Sequence, residues 1–125
     1  MIEEIKRHCL SNTRQEMCGL IALSKNDLHI IPCRNVDEDP EFGYEISYDD
    51  FLRAEKIGDV VGVFHSHTER CSDLPSLFDV EYAEITGYFN IVYINRLDKF
   101  EIVDPEKRLK PEIRQKLFGN GVLHD

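Results

Sequence analysis

Apolar residues recur at helical spacing over residues 2–13, where Ile2, Ile5, Cys9 and Leu10 are interleaved with Glu3, Glu4, Lys6 and Arg7. The spacing predicts an amphipathic helix ending near Asn12. The period then changes. Residues 17–23 and 28–33 are two short apolar runs separated by Lys25, Asn26 and Asp27, which predicts two strands joined by a tight turn. Pro32 cannot donate to a ladder, so the second is expected as an edge or distorted strand. Residues 35–43 are acidic and contain Pro40, the composition of a solvated surface loop. A brief strand is expected over 44–47, and Ser47 or Tyr48 opens a short helix carrying Phe51, Leu52, Ala54 and Ile57, stopped by Gly58.

Residues 60–67 are an unbroken stretch of β-branched, aromatic and small residues ending in His65-Ser66-His67. Such a run is expected in a strand covered on both faces, at the centre of a sheet. A polar loop follows to Leu74, then a helix over 76–86 with Leu77, Phe78, Tyr82 and Ile85 on one side. Residues 88–94 and 100–103, separated by Arg96, Leu97, Asp98 and Lys99, predict a closing hairpin. The fold class is therefore α/β (α+β). Residues 1–104 form the expected domain. From Pro105 onward five Lys and Arg face three Asp and Glu, and two prolines with Gly119 and Gly121 mark a tail or linker over 105–125.

With 125 residues, 42% of them apolar, the chain has the material for a single core without disulfide staples. Its net charge of −9 repels phosphate backbones and anionic lipid, which argues against nucleic acid and membrane surfaces as partners. Cys9, Cys18, Cys33 and Cys71 form no CxxC pair, as expected for free thiols in a reducing compartment. The start is acidic and no long apolar run follows, so the expected location is cytoplasmic.

Chemistry concentrates in three places. Side chains alternate along a strand, so His65 and His67 point the same way and Ser66 the other, which supplies two metal ligands or, equally, two histidines paired with carboxylates. Ser76 and Asp79 lie on one face of the following helix, and taken alone they read better as a capping box. Together, two strand-end histidines and a helix-borne Asp79 can supply an open zinc site with one position left for water. Such a site needs a base, and Glu16, just before the first strand, is the candidate.

Glu16-Met17-Cys18-Gly19-Leu20, His65-Ser66-His67 and, after a short loop, Pro75-Ser76 with Asp79 resemble the signature of the JAMM (MPN-plus) metallopeptidases. The resemblance implies a curved mixed sheet flanked by helices, similar to the cytidine deaminase fold. It also implies Zn2+ held by His65, His67 and Asp79, Glu16 as general base and proton donor, and Ser76 as a stabiliser of the oxyanion. The deaminase activity is not expected, since no Pro-Cys-x-x-Cys completes that metal site. Thr68 departs from the family, which usually has Pro there, a change expected to loosen the loop without removing a ligand. Cys71 and Asp73, on that loop, are further groups that can reach the metal.

Residues 44–55 and 60–67 are also similar to the N-terminal domain of the tail assembly protein K family of phages and prophages. That resemblance implies a protein or peptide substrate, either a phage tail protein or a peptidoglycan peptide, and a lead-in over 118–125 to a missing NlpC-type peptidase domain. Two rival readings accompany it. One is a non-catalytic scaffold in tail assembly, and the other a Cys71 thiol peptidase assisted by His65 or His67.

Overall fold

A computed structural model describes residues 1–119 of the chain. Helix α1 (Ile2–Leu10) buries Ile5 and Cys9, one turn apart, and leads into the hairpin β1 (Cys18–Ser24) and β2 (Asp27–Cys33). Helix α2 (Tyr48–Ile57) starts where the Ser47 hydroxyl accepts the Asp50 N–H, and ends at Gly58. Strand β3 (Asp59–His67), helix α3 (Leu77–Thr86), strands β4 (Phe89–Ile94) and β5 (Lys99–Val103), and helix α4 (Pro111–Phe118) complete the order.

The strands form one mixed sheet in the order β2-β1-β3-β4-β5, antiparallel throughout except for the parallel pair β3–β4. β3 is central, and β2 with Pro32 is an edge, both as the sequence pattern requires. Alternation along the strands makes two apolar layers. Ile5 and Cys9 of α1 and Ile113 and Leu117 of α4 pack with Ile21, Phe64, Ile91 and Tyr93 on one face. Ala54 of α2 packs with Leu20, Ile31 and Val63 on the other, and Ala83 of α3 with Val92 and Ile94. Gly19 is required by close approach, since a Cβ there would lie 2.2 Å from the Phe64 ring and 2.6 Å from the Ile31 carbonyl. Among the described residues, no helix is long and apolar enough to cross a membrane.

Three expectations are corrected. Residues 44–47 form no strand and do not join the sheet; the Glu45 carbonyl accepts the Val36 N–H and its N–H donates to Asn35 Oδ1 instead of to a strand. In α3 the inward positions belong to Asp79 and Ala83, which leaves Leu77, Phe78 and Ile85 at 74%, 56% and 84% exposure. Asp79 holds that orientation through the bonds described below, overriding a weak apolar stripe. The segment expected as a tail contributes α4, whose Ile113 and Leu117 are buried in the core. The stretch 120–125, including most of the expected lead-in to a second domain, lies outside the described residues.

Candidate metal centre

Strand β3 enters the site with Val63, His65 and His67 on the α2–α3 side of the sheet, while Phe64 faces α1 and α4. Both imidazoles are buried, His65 at 1% and His67 at 4% exposure. His67 Nδ1 lies 3.0 Å from the Ser72 carbonyl and His65 Nδ1 lies 3.3 Å from Asn90 Oδ1. A backbone carbonyl only accepts, so His67 Nδ1 carries the proton and its Nε2 is left with a lone pair. Tyr44 stacks on His65, with ring centroids 4.4 Å apart, and fixes the plane of that ring.

Both Nε2 atoms face Asp79. His65 Nε2 is 3.1 Å from Asp79 Oδ1, and His67 Nε2 is 3.2 Å from Asp79 Oδ2. With Nδ1 of His67 already protonated, a neutral His67 ring would set a lone pair against the carboxylate with no hydrogen between them. That contact is satisfied by protonating His67 or by a cation between it and Asp79. Imidazole nitrogens and carboxylates are donor types that zinc takes, so the residues gathered here fit the ion by their chemistry, with the Ser72 carbonyl as an outer partner of His67.

Asp79 is itself oriented by the start of α3. Its Oδ2 accepts the Ser76 N–H at 2.7 Å, and its own N–H donates to Ser76 Oγ at 3.1 Å, so the capping box is real. Capping leaves the Ser76 hydroxyl proton available, and Ser76 lines the same cavity as Asp79. Burial works to raise the Asp79 pKa, but hydrogen bonds from His65 and His67 hold it well below the usual carboxylate range. Burial opposes charge on His67, yet the Asp79 hydrogen bond and the Ser72 carbonyl leave its pKa raised.

Glu16 is 4% exposed, with Oε1 4.0 Å from His65 Nε2. Ligand atoms of Glu16, His65 and His67 all lie within 4.8 Å of one another, so the glutamate is in the same group as the histidines. Burial pushes its pKa up, offset in part by the two histidines. A cavity of about 460 Å³ opens on these groups, lined by Glu16, His67, Ser76 and Asp79 and walled by Phe42, Tyr44 and Phe78.

The loop after β3 behaves differently from expectation. Thr68 Oγ1 accepts the Arg70 N–H and the Thr68 carbonyl accepts the Cys71 N–H, so Thr68 closes a turn instead of loosening the loop. Asp73 pairs with Arg96, and is not among the residues lining the cavity. The Cys71 thiol donates to Glu16 Oε2 at 3.5 Å. Burial pushes that thiol up in pKa, the opposite of what a thiol nucleophile requires. All four cysteines are free thiols, and burial raises Cys9 and Cys33 to about 12.

The family model for prokaryotic homologs of the JAB domain matches residues 1–108. The chain belongs to that family. This JAB domain is also similar to the tail tip assembly protein K of Escherichia phage N15, 31% identical over 85 residues. The match covers 68% of this chain and 35% of that relative, so the chain spans about a third of the relative's length. The JAB domain's mixed sheet flanked by helices, and the order of its motifs along the chain, agree with the fold and family read from the sequence.

Sequence reasoning missed Tyr44 and Asn90 as supports of His65, and the Ser72 carbonyl as the support of His67. Asn90 sits on β4 opposite Val63, a pairing that only the parallel register creates. Ser66, read only as facing away, accepts the Met17 N–H at 2.9 Å and so fixes the residue next to Glu16. None of these has a local motif that could have announced it.

Proposed function

We propose that this JAB domain is a zinc-dependent metallopeptidase that hydrolyses a peptide or isopeptide bond in a phage tail protein or a cell-wall peptide. The observation that carries this reading is the convergence of two buried imidazole Nε2 atoms on one buried carboxylate, with a second buried carboxylate beside them. His65, His67 and Asp79 would hold the ion. Zinc, when bound, supplies Lewis acidity, acidifying water and polarising the scissile carbonyl.

The rest is done by the chain. Glu16 takes one proton from the attacking water as the new C–O bond forms, and returns it to the amine as the C–N bond breaks. A raised pKa suits a carboxylate that must first accept and then release that proton. The Ser76 hydroxyl, free to donate, faces the developing oxyanion, where losing one donor costs about 2.7–4 kcal/mol. The phage relative supports the choice of substrate class.

The test combines metal analysis with Glu16→Gln. About one zinc per chain is expected in both proteins, with cleavage of tail proteins or cell-wall peptides, read by mass spectrometry, reduced about 10²- to 10⁴-fold in the variant. Full activity in Glu16→Gln rejects the base. A protein without zinc after gentle purification is instead the scaffold.

A further inference from the structure

We infer that Asn35 is a positioning residue for Glu16, locking the glutamate and one wall of the cavity into a single unit. This rests on the reading of Glu16 as the base. Glu16 precedes β1 and has no partner in the sheet. Its backbone is held by the acidic segment instead. The Glu16 N–H donates to the Pro40 carbonyl at 2.7 Å, and the Glu16 carbonyl accepts from Asn35 Nδ2 at 2.8 Å.

The same amide does three more things. Nδ2 donates to the Gly43 carbonyl at 2.9 Å, and Oδ1 accepts the N–H groups of Asp37 and Glu45 at 3.0 and 3.1 Å. Two carbonyls can only accept and two N–H groups can only donate, so the partners dictate which end of the amide is which. Every hydrogen-bonding position of this half-buried side chain is used. Phe42, Gly43 and Tyr44, which follow directly, line the cavity with Glu16. A loop that composition marks as solvated is therefore the mount of the proposed base.

A second tie acts independently on the neighbouring residue. The Met17 N–H donates to Ser66 Oγ, and the Ser66 N–H donates to the Met17 carbonyl at 2.9 Å. Ser66 sits between the two histidines. Glu16 is thus located relative to His65 and His67 by Ser66 from the strand side and by Asn35 from the loop side. The distinction gives the experiment its internal control.

Two variants separate the halves of the amide. Asn35→Asp keeps an acceptor for Asp37 and Glu45 but removes both donors, while Asn35→Ala removes everything. Amide hydrogen exchange on the metal-free protein, which needs no substrate, should show the Glu16 amide exchanging at least about tenfold faster in both variants. The Asp37 and Glu45 amides should accelerate only in Asn35→Ala, and the Ser66 amide in neither. On the peptide cleaved in the screen above, kcat should fall about ten- to a hundredfold with KM and zinc content unchanged. An unchanged Glu16 amide overturns the inference, as does equal acceleration at Ser66, which signals general loosening, or a loss confined to KM. A failed screen counts against the peptidase reading alone, because the exchange result stands apart from it.

Discussion

His67 and Asp79 carry opposite pKa shifts, and the two make a pH signature of the metal-free site. The lowered Asp79 pKa gives stability that is present above the unfolded value near 3.9 and lost as pH falls through the folded one. The raised His67 pKa gives stability that is complete below about 6.5 and lost as pH rises through its folded value. Glu16, also raised by burial, favours the protonated side in the same way. In chelator, thermal melts should therefore show stability declining as pH rises from about 6 to 8. Zinc reverses the sign, because protons compete with the metal for His65 and His67, so its stabilisation should grow over that range and vanish on acidification. Melting curves with parallel pH slopes in zinc and in chelator would count against ligation by these histidines. Asp79→Asn should flatten the chelator profile.

At the scale of elements, the start of α3 serves the site and the helix at once. Ser76→Ala should cost about 1 kcal/mol through the lost cap and weaken zinc binding about 10- to 100-fold by freeing Asp79, read by chelator competition. A loss of stability with undiminished zinc affinity would show that the cap does not orient the carboxylate. Gly19→Ala pushes a methyl into the Phe64 ring and the Ile31 carbonyl, and should destabilise by about 1–3 kcal/mol in denaturant unfolding. Elements were legible where the signal was local. Ser47, Gly58 and Ser76 bounded their helices, and the run ending in His65-Ser66-His67 announced the central strand. The face of α3 was not legible, because Asp79 takes an inward position that periodicity assigns to an apolar residue. Residues 44–47 are not legible for a related reason: Glu45 pairs with the Val36 backbone and the Asn35 side chain, not with a strand of the sheet.

For the whole molecule, the residues that gather at the candidate site could be named from the order of motifs, but the groups that support them could not. Tyr44, Asn90 and Asn35 reach the site through pairings distant in sequence, which only the assembled sheet specifies. Helix α4 escaped notice because eight residues with two buried apolar side chains look like linker in composition. Its contribution is nonetheless a core one. Leu117→Ala should destabilise the domain by about 2–5 kcal/mol, and a chain ended at Asp104 should melt well below the full one in calorimetry. Equal melting temperatures would mean that α4 is only an appendage.

Helix α4 belongs to the layer across the sheet from the imidazoles, packed with α1. A fluorophore or surface tether attached to the exposed side of α4 therefore departs from the back of the domain and leaves the opening above Glu16 clear. The protein can be immobilised through that helix, and the approach of a large, folded substrate followed in real time.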